Sequence, residues 1–168
     1  FVFSKNYFPA PFKVGIDATI DSDVQVNGFT ATVYYQSEKN DLSIDLGLIP
    51  KGTIGDYVWN DQDQDGIQDK NETGINGFTV QLLNQNNIVL DQTITSHNPN
   101  TGLEGWYEFH YVIPGDYLIK VLPISNKGYR RTNPYSGKNS ELDSDLSDQN
   151  GINTSAIFTL GMGEYQSS

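Results

Sequence analysis

Asp61-Gln62-Asp63-Gln64-Asp65-Gly66-Ile67-Gln68-Asp69-Lys70-Asn71-Glu72 is the stretch that decides the reading of this chain. It fits the calcium-loop pattern D-x-[DN]-x-[DN]-G-x5-E at every specified position. A hard divalent cation takes six to eight oxygens at about 2.3–2.6 Å, and a loop delivers them only by turning sharply. The spacing puts Asp61, Asp63 and Asp65 at the carboxylate positions one, three and five. Gly66 permits the turn, and Ile67 offers its backbone carbonyl. Asp69 stands at position nine, directly or through water, and Glu72 closes the loop at position twelve. Five carboxylates so close together repel one another unless a cation lies between them. The predicted cofactor is Ca2+. A solvated acidic turn is the competing reading.

The flanks decide the fold. Gly55-Asp56-Tyr57-Val58-Trp59-Asn60 precedes the loop, and Gly74-Ile75-Asn76-Gly77-Phe78-Thr79-Val80-Gln81-Leu82-Leu83 follows it. Phe78, Val80 and Leu82 alternate with polar residues at the strand period, not the helical one. The loop is therefore a clip between strands rather than part of a helical sensor. Further strands are expected at residues 41–48, with Leu42, Ile44, Leu46 and Leu48 on one half-buried face. Trp106-Tyr107-Glu108-Phe109-His110-Tyr111 alternates so that Tyr107, Phe109 and Tyr111 share a side. Ile113-Pro114-Gly115-Asp116 signals a turn into a strand with Tyr117, Ile119 and Val121 inward. Shorter strands fit at 88–95 and 156–160. Short strands separated by turn residues make an all-β sandwich.

The chain has 168 residues, 10 basic against 21 acidic, and a formal charge of −11. Such a balance argues against nucleic acid, which rewards clustered Lys and Arg. There is no cysteine, so no disulfide or thiolate site exists, and bound metal is the natural staple for a secreted domain. No apolar run reaches membrane-span length, and Phe1-Val2-Phe3-Ser4 does not read as a signal peptide; the chain reads as a mature product or a piece of something longer.

An internal echo organises the rest. Asp21-Ser22-Asp23-Val24 recurs 122 residues later as Asp143-Ser144-Asp145-Leu146, and both copies lead through Asn-Gly into β-like runs at 30–35 and 154–160. A repeat of roughly 120 residues, cut out of phase, accounts for this. Residues 1–50 read as the end of a preceding repeat or as a donor segment ending in strand 41–49, and 51–168 as the next repeat without its last strand. A sandwich lacking a strand exposes an edge and a core gap. Strand 41–49 has the pattern to fill such a gap, in its own chain or head-to-tail in a neighbour.

Taken together, 55–61, 65–69, Glu72, Gly74-Ile75, Gly105-Trp106-Tyr107-Glu108-Phe109, Pro114-Gly115-Asp116-Tyr117, Asp-Ser-Asp and Ile44-Asp45-Leu46-Gly47-Leu48 resemble the B repeats of serine-aspartate repeat (Sdr) surface adhesins. The resemblance implies a Greek-key, immunoglobulin-like β-sandwich of the collagen-adhesin B type, calcium-dependent rigidity and tandem arrangement as a stalk on the bacterial surface. It also raises further calcium ligands at Asp21/Asp23 and Asp143/Asp145, with Asp148 or Glu141 as helpers in the second copy. A solvated turn competes there. Relatives of this fold often carry a Lys–Asn isopeptide bond, but residues 53–59 hold no Lys and Lys120 lies off the inward register, so none is expected.

The functional expectation is a calcium-stabilised structural module of an extracellular adhesin stalk or filament, partnered by neighbouring repeats and inserting in no membrane. The alternative is a ligand-binding sandwich, for carbohydrate or host protein, with Trp106 as an outward platform. Catalysis is not expected: His97 sits in a polar loop, His110 on an alternating strand, and no nucleophile constellation appears.

Overall fold

The computed structural model describes residues 5–11, 13, 21–25, 29–30, 44–124, 128–139 and 141–167. Among these residues nine strands appear in chain order: β1 (Tyr7–Pro9), β2 (Leu48–Pro50), β3 (Gly52–Tyr57), β4 (Thr79–Asn84), β5 (Val89–Ile94), β6 (Trp106–Val112), β7 (Gly115–Leu122), β8 (Phe158–Leu160) and β9 (Tyr165–Gln166). No helical residue occurs among those described. One sheet has the order β6-β3-β9 and the other β5-β4-β7-β8, so the chain changes sheet between β3 and β4. β9 pairs with β3 in parallel, placing Thr53 opposite Tyr165 and Ile54 opposite Gln166.

Alternation explains the core. Ile54 of β3 and Tyr107 and Phe109 of β6 face Phe78, Val80 and Leu82 and the β7 residues Tyr117, Ile119 and Val121, with Leu160 at one margin. Side chains of the two inner sheet faces meet, and polar neighbours point out. The all-β sandwich is as the alternation predicted.

Tyr111 departs from its expected side. Gly52 pairs with Val112 but Thr53 pairs with His110, so Tyr111 is an extra residue in β6. It adopts φ 61° and is exposed, and Val112 takes the inward place. A β-bulge inserts one residue and reverses the facing beyond it, which strict alternation cannot anticipate.

The predicted strand 41–48 also needs correction. Residues 41–43 lie outside those described; residues 44–47 are irregular, and only Leu48–Pro50 is strand, paired with Tyr7–Pro9. Ile44, Leu46 and Leu48 are 45, 39 and 45% exposed rather than half-buried, because among the described residues the two-stranded β1-β2 sheet provides no opposing sheet. The predicted run at 30–35 falls outside the described residues except for Thr30, which bridges to Val24. The strand expected at 156–160 contracts to β8, and 88–95 becomes the exposed β5.

The internal echo has a structural counterpart. Lys13 donates its backbone N–H to Ser22 O at 3.0 Å, and Tyr135 donates to Ser144 O at 2.9 Å. Both donors are left-handed, at φ 49° and 56°. Each pair is separated by the same 122 residues as the Asp-Ser-Asp motifs.

Truncating Phe109 to Ala should cost about 3–5 kcal/mol in chemical denaturation. Tyr111→Gly should be neutral or stabilising, because its left-handed backbone suits glycine. Equal loss at both positions would remove the bulge from β6.

Candidate metal centre

The acidic loop occupies the crossover between the sheets. Its neck is closed by backbone pairing: Asn60 N–H to Thr73 O (2.9 Å), Ile75 N–H to Val58 O (2.7 Å) and an antiparallel bridge between Trp59 and Gly74. The chain leaves β3 and enters β4 through one narrow gate, and the twelve residues between are gathered above it.

Inside the loop each aspartate is held by amides that follow it. Asp61 accepts from Gln64 N–H through Oδ1 (2.7 Å) and from Gly66 N–H through Oδ2 (3.0 Å). Asp63 accepts from Asp65 N–H (3.3 Å), and Asp65 from Ile67 N–H (2.7 Å). Short polar side chains favour such turns. One carboxylate oxygen from each of Asp61, Asp63 and Asp65 lies within 4.8 Å of the others. Oxygens around an ion at about 2.4 Å stand at most about 4.8 Å apart, so this donor set fits a hard divalent cation. Glu72 folds back across the loop, accepting from Gln62 N–H through Oε1 (2.6 Å) and Asp69 N–H through Oε2 (3.1 Å). Asp69 is exposed and stands outside the three-carboxylate cluster. Burial alone would raise the Asp61 carboxyl, but hydrogen bonds from Thr132 and the amides of Gly66, Gln64 and Asp65 outweigh it and hold the group below its ordinary value.

The loop is docked as well as closed, and sequence spacing did not reveal this. Gln68 N–H donates to Leu142 O (2.6 Å), Ser144 N–H donates to Gly66 O (3.1 Å), and Ile67 bridges to Asp143. Gly66 is buried at φ 83°, and a Cβ there would stand 2.5 Å from Asn133 O. Its glycine thus serves a close approach as well as a turn. The signal in sequence was the second Asp-Ser-Asp motif, but nothing in its spacing from the loop tied the two together.

The weaker candidates divide. Asp143 is brought to the loop, and its Oδ1 is buried without a hydrogen-bond partner. Asp21, its counterpart in the first copy, also buries Oδ1 without a partner. A carboxylate oxygen withdrawn from water and given no donor is expensive unless a cation meets it. Asp23 instead accepts from Asp45 N–H (3.1 Å), and the Asp145 carbonyl accepts from the Tyr135 hydroxyl (3.1 Å). Asp148, proposed as a helper, is turned to Arg131 and Asn153; the Arg131 hydrogen bond holds its carboxyl below the ordinary value. Glu141 is exposed on the wall of a neighbouring cleft.

Trp106 is not a free platform: it packs on Tyr57 with ring centroids 4.9 Å apart and is partly buried. His97 pairs with exposed Glu104 at 3.3 Å and His110 with Glu108 at 3.2 Å.

Residues 52–168, running from β3 through β9, match the family of SdrD B-like domains. The chain belongs to that family. Its relatives include the serine-aspartate repeat-containing proteins D of Staphylococcus aureus (38% identical over 164 residues, 96% of this chain) and F of Staphylococcus epidermidis (37% over 149 residues, 86%). Serine-aspartate repeat-containing protein I of Staphylococcus saprophyticus is 39% identical over 124 residues, 71% of this chain. The chain spans 12%, 8% and 6% of these three relatives respectively. Membership of this B-domain family makes the chain a non-enzymatic module. Among the described residues no helix is long and apolar enough to cross a membrane.

Asp61→Ala removes one carboxylate and the acceptor of two loop amides. Isothermal titration should show calcium affinity falling at least about tenfold, with the far-ultraviolet spectrum of the sandwich retained. Gly66→Ala should destabilise by more than about 1 kcal/mol, since it meets both a left-handed backbone and the Asn133 carbonyl. An unchanged titration in Asp61→Ala would remove the loop from the site, and unchanged chemical denaturation of Gly66→Ala would remove the close approach at Asn133.

Proposed function

We propose that this chain is a calcium-stabilised spacer module of a bacterial cell-surface adhesin, stacked with similar repeats outside the cell. The observation that carries the reading is the Asp61, Asp63, Asp65 cluster above the gate where the chain passes between sheets. An ion there would join β3, β4 and residues 142–144 docked on the loop, so metal occupancy is coupled to the packing of the sandwich. Ile67, Asp69 and Glu72 are the remaining proposed ligands from the loop, and Asp143, whose backbone bridges to Ile67, is proposed to supply its buried oxygen as a further one. Asp21 is the corresponding oxygen in the upstream copy.

Residues 1–50 are read as the closing part of a preceding repeat. The pairing of β1 with β2, and of Asp45 with Asp23, supports engagement within the chain over donation to a neighbour. The joint supports stiffness: a single residue, Lys51, separates β2 from β3, its N–H donates to Asn6 O (2.8 Å), and Gly163 N–H donates to Pro50 O (3.2 Å). A spacer of this kind needs a fixed angle more than a pocket.

Calcium at about 1 mM, with a dissociation constant of about 0.1 mM, stabilises by roughly 1.4 kcal/mol per site. Scanning calorimetry in calcium and in excess chelator should therefore differ by about 3–6 °C in Tm for one site, and more for several. Identical midpoints would end the calcium part of this reading.

A further inference from the structure

Three Asn-Gly pairs occur in the chain, at 27–28, 76–77 and 150–151. The first lies outside the described residues, and the other two stand in opposite surroundings. In such a pair the glycine amide nitrogen attacks the asparagine side-chain carbonyl carbon, since no Cβ shields that nitrogen. The reaction requires a glycine N–H that is not held elsewhere and an amide side chain free to swing back.

Asn76-Gly77 meets neither condition. Gly77 N–H donates to Thr95 O (2.8 Å), which ties it to the end of β5. Asn76 Oδ1 accepts from Gly105 N–H (2.8 Å), while its Nδ2 stands 3.4 Å from Glu104 Oε1 and 3.4 Å from His97 Nδ1. Asn150-Gly151 lies instead in an irregular loop closed at its base by Ser147 N–H to Thr154 O (2.9 Å) and Thr154 N–H to Ser147 O (3.0 Å). Gly151 is exposed, and among the described residues its N–H has no partner. It holds φ 128°, which disfavours any side chain at that position. The Asn150 side chain makes one hydrogen bond among the described residues, from Nδ2 to Ser155 O (3.0 Å).

We propose that Asn150 is a site of spontaneous deamidation, and that its conversion loosens the 147–154 loop from β7. A bond forms between Gly151 N and Asn150 Cγ, the Cγ–Nδ2 bond breaks, and Nδ2 leaves as ammonia with the proton of the glycine amide. Water then opens the resulting five-membered imide. Opening at Cγ gives aspartate; opening at the main-chain carbonyl gives isoaspartate, with one more carbon in the backbone. Water is the only co-reactant, and nothing is oxidised or reduced.

The departing nitrogen is the atom that bonds Ser155. Ser155 is buried and anchors the loop on the core residue Ile119: its N–H donates to Ile119 O (2.9 Å), and its Oγ accepts from Ile119 N–H (3.0 Å). After conversion a carboxylate faces the Ser155 carbonyl, which leaves that acceptor without its donor. The added backbone carbon of isoaspartate further strains a loop whose base is fixed by the Ser147–Thr154 bridge. This inference goes beyond the spacer reading and does not depend on bound calcium.

The test ages the full 168-residue chain at mildly alkaline pH and follows both sites by peptide mapping with mass spectrometry, scoring aspartate and isoaspartate. Asn150 should convert at least about tenfold faster than Asn76, whose hydrogen bonds must open before attack. In denaturant, where those bonds are gone, the two rates should converge. Equal rates in the folded chain, or a contrast that survives denaturant, would overturn the site. Asn150→Asp, and the aged fraction separated by ion exchange, should both melt about 2–6 °C lower than fresh protein, as loss of one buried hydrogen bond requires. An unchanged Tm in the aged fraction would overturn the loosening.

Discussion

Mutual repulsion among the carboxylates between Asp61 and Glu72 is the constraint around which this domain is arranged. Charges brought to within 4.8 Å of one another raise the energy of the folded chain unless a cation accepts them. Their amide donors relieve part of that cost, since every aspartate of the triad accepts at least one backbone N–H. The remainder is what the proposed cation would offset, and because the loop sits on the link from one sheet to the other, that cost is coupled to the association of the sheets.

Docking of the loop extends the coupling. Residues 133–139 and 141–144 have little regular structure of their own, yet Leu142, Asp143 and Ser144 contact Gly66, Ile67 and Gln68 through backbone bonds. An ion bound in the loop, as proposed, would therefore also order the residues docked on it. At the start of β3 a single residue, Lys51, joins that strand to β2.

The paired orphan oxygens of Asp21 and Asp143 connect the two halves of the chain. A single buried and unpartnered carboxylate oxygen is a local oddity. The same atom in the same motif 122 residues away is a repeated feature, so the two halves share one local geometry at this position.

Several features were legible in the residues alone. The convergence of Asp61, Asp63 and Asp65 was legible because side-chain placement along a tight turn is a local matter, set by Asp at alternate positions and Gly66 just after them. Phe78, Val80, Leu82, Tyr117, Ile119 and Val121 declared their burial because strand alternation is local too. Other features depended on residues far apart in sequence. Tyr111 faces outward because β6 carries one residue more than β3 can pair, a property of two strands and not of either. Ile44 and Leu46 have the pattern of a buried face, but burial requires an opposing surface, and none of the described residues provides it. Asp143 was marked by its motif, while its place beside Ile67 followed only from the docking of residues 142–144 on the loop. Local geometry follows from neighbouring residues, whereas the partner of a strand edge or a carboxylate is chosen by the path of the whole chain.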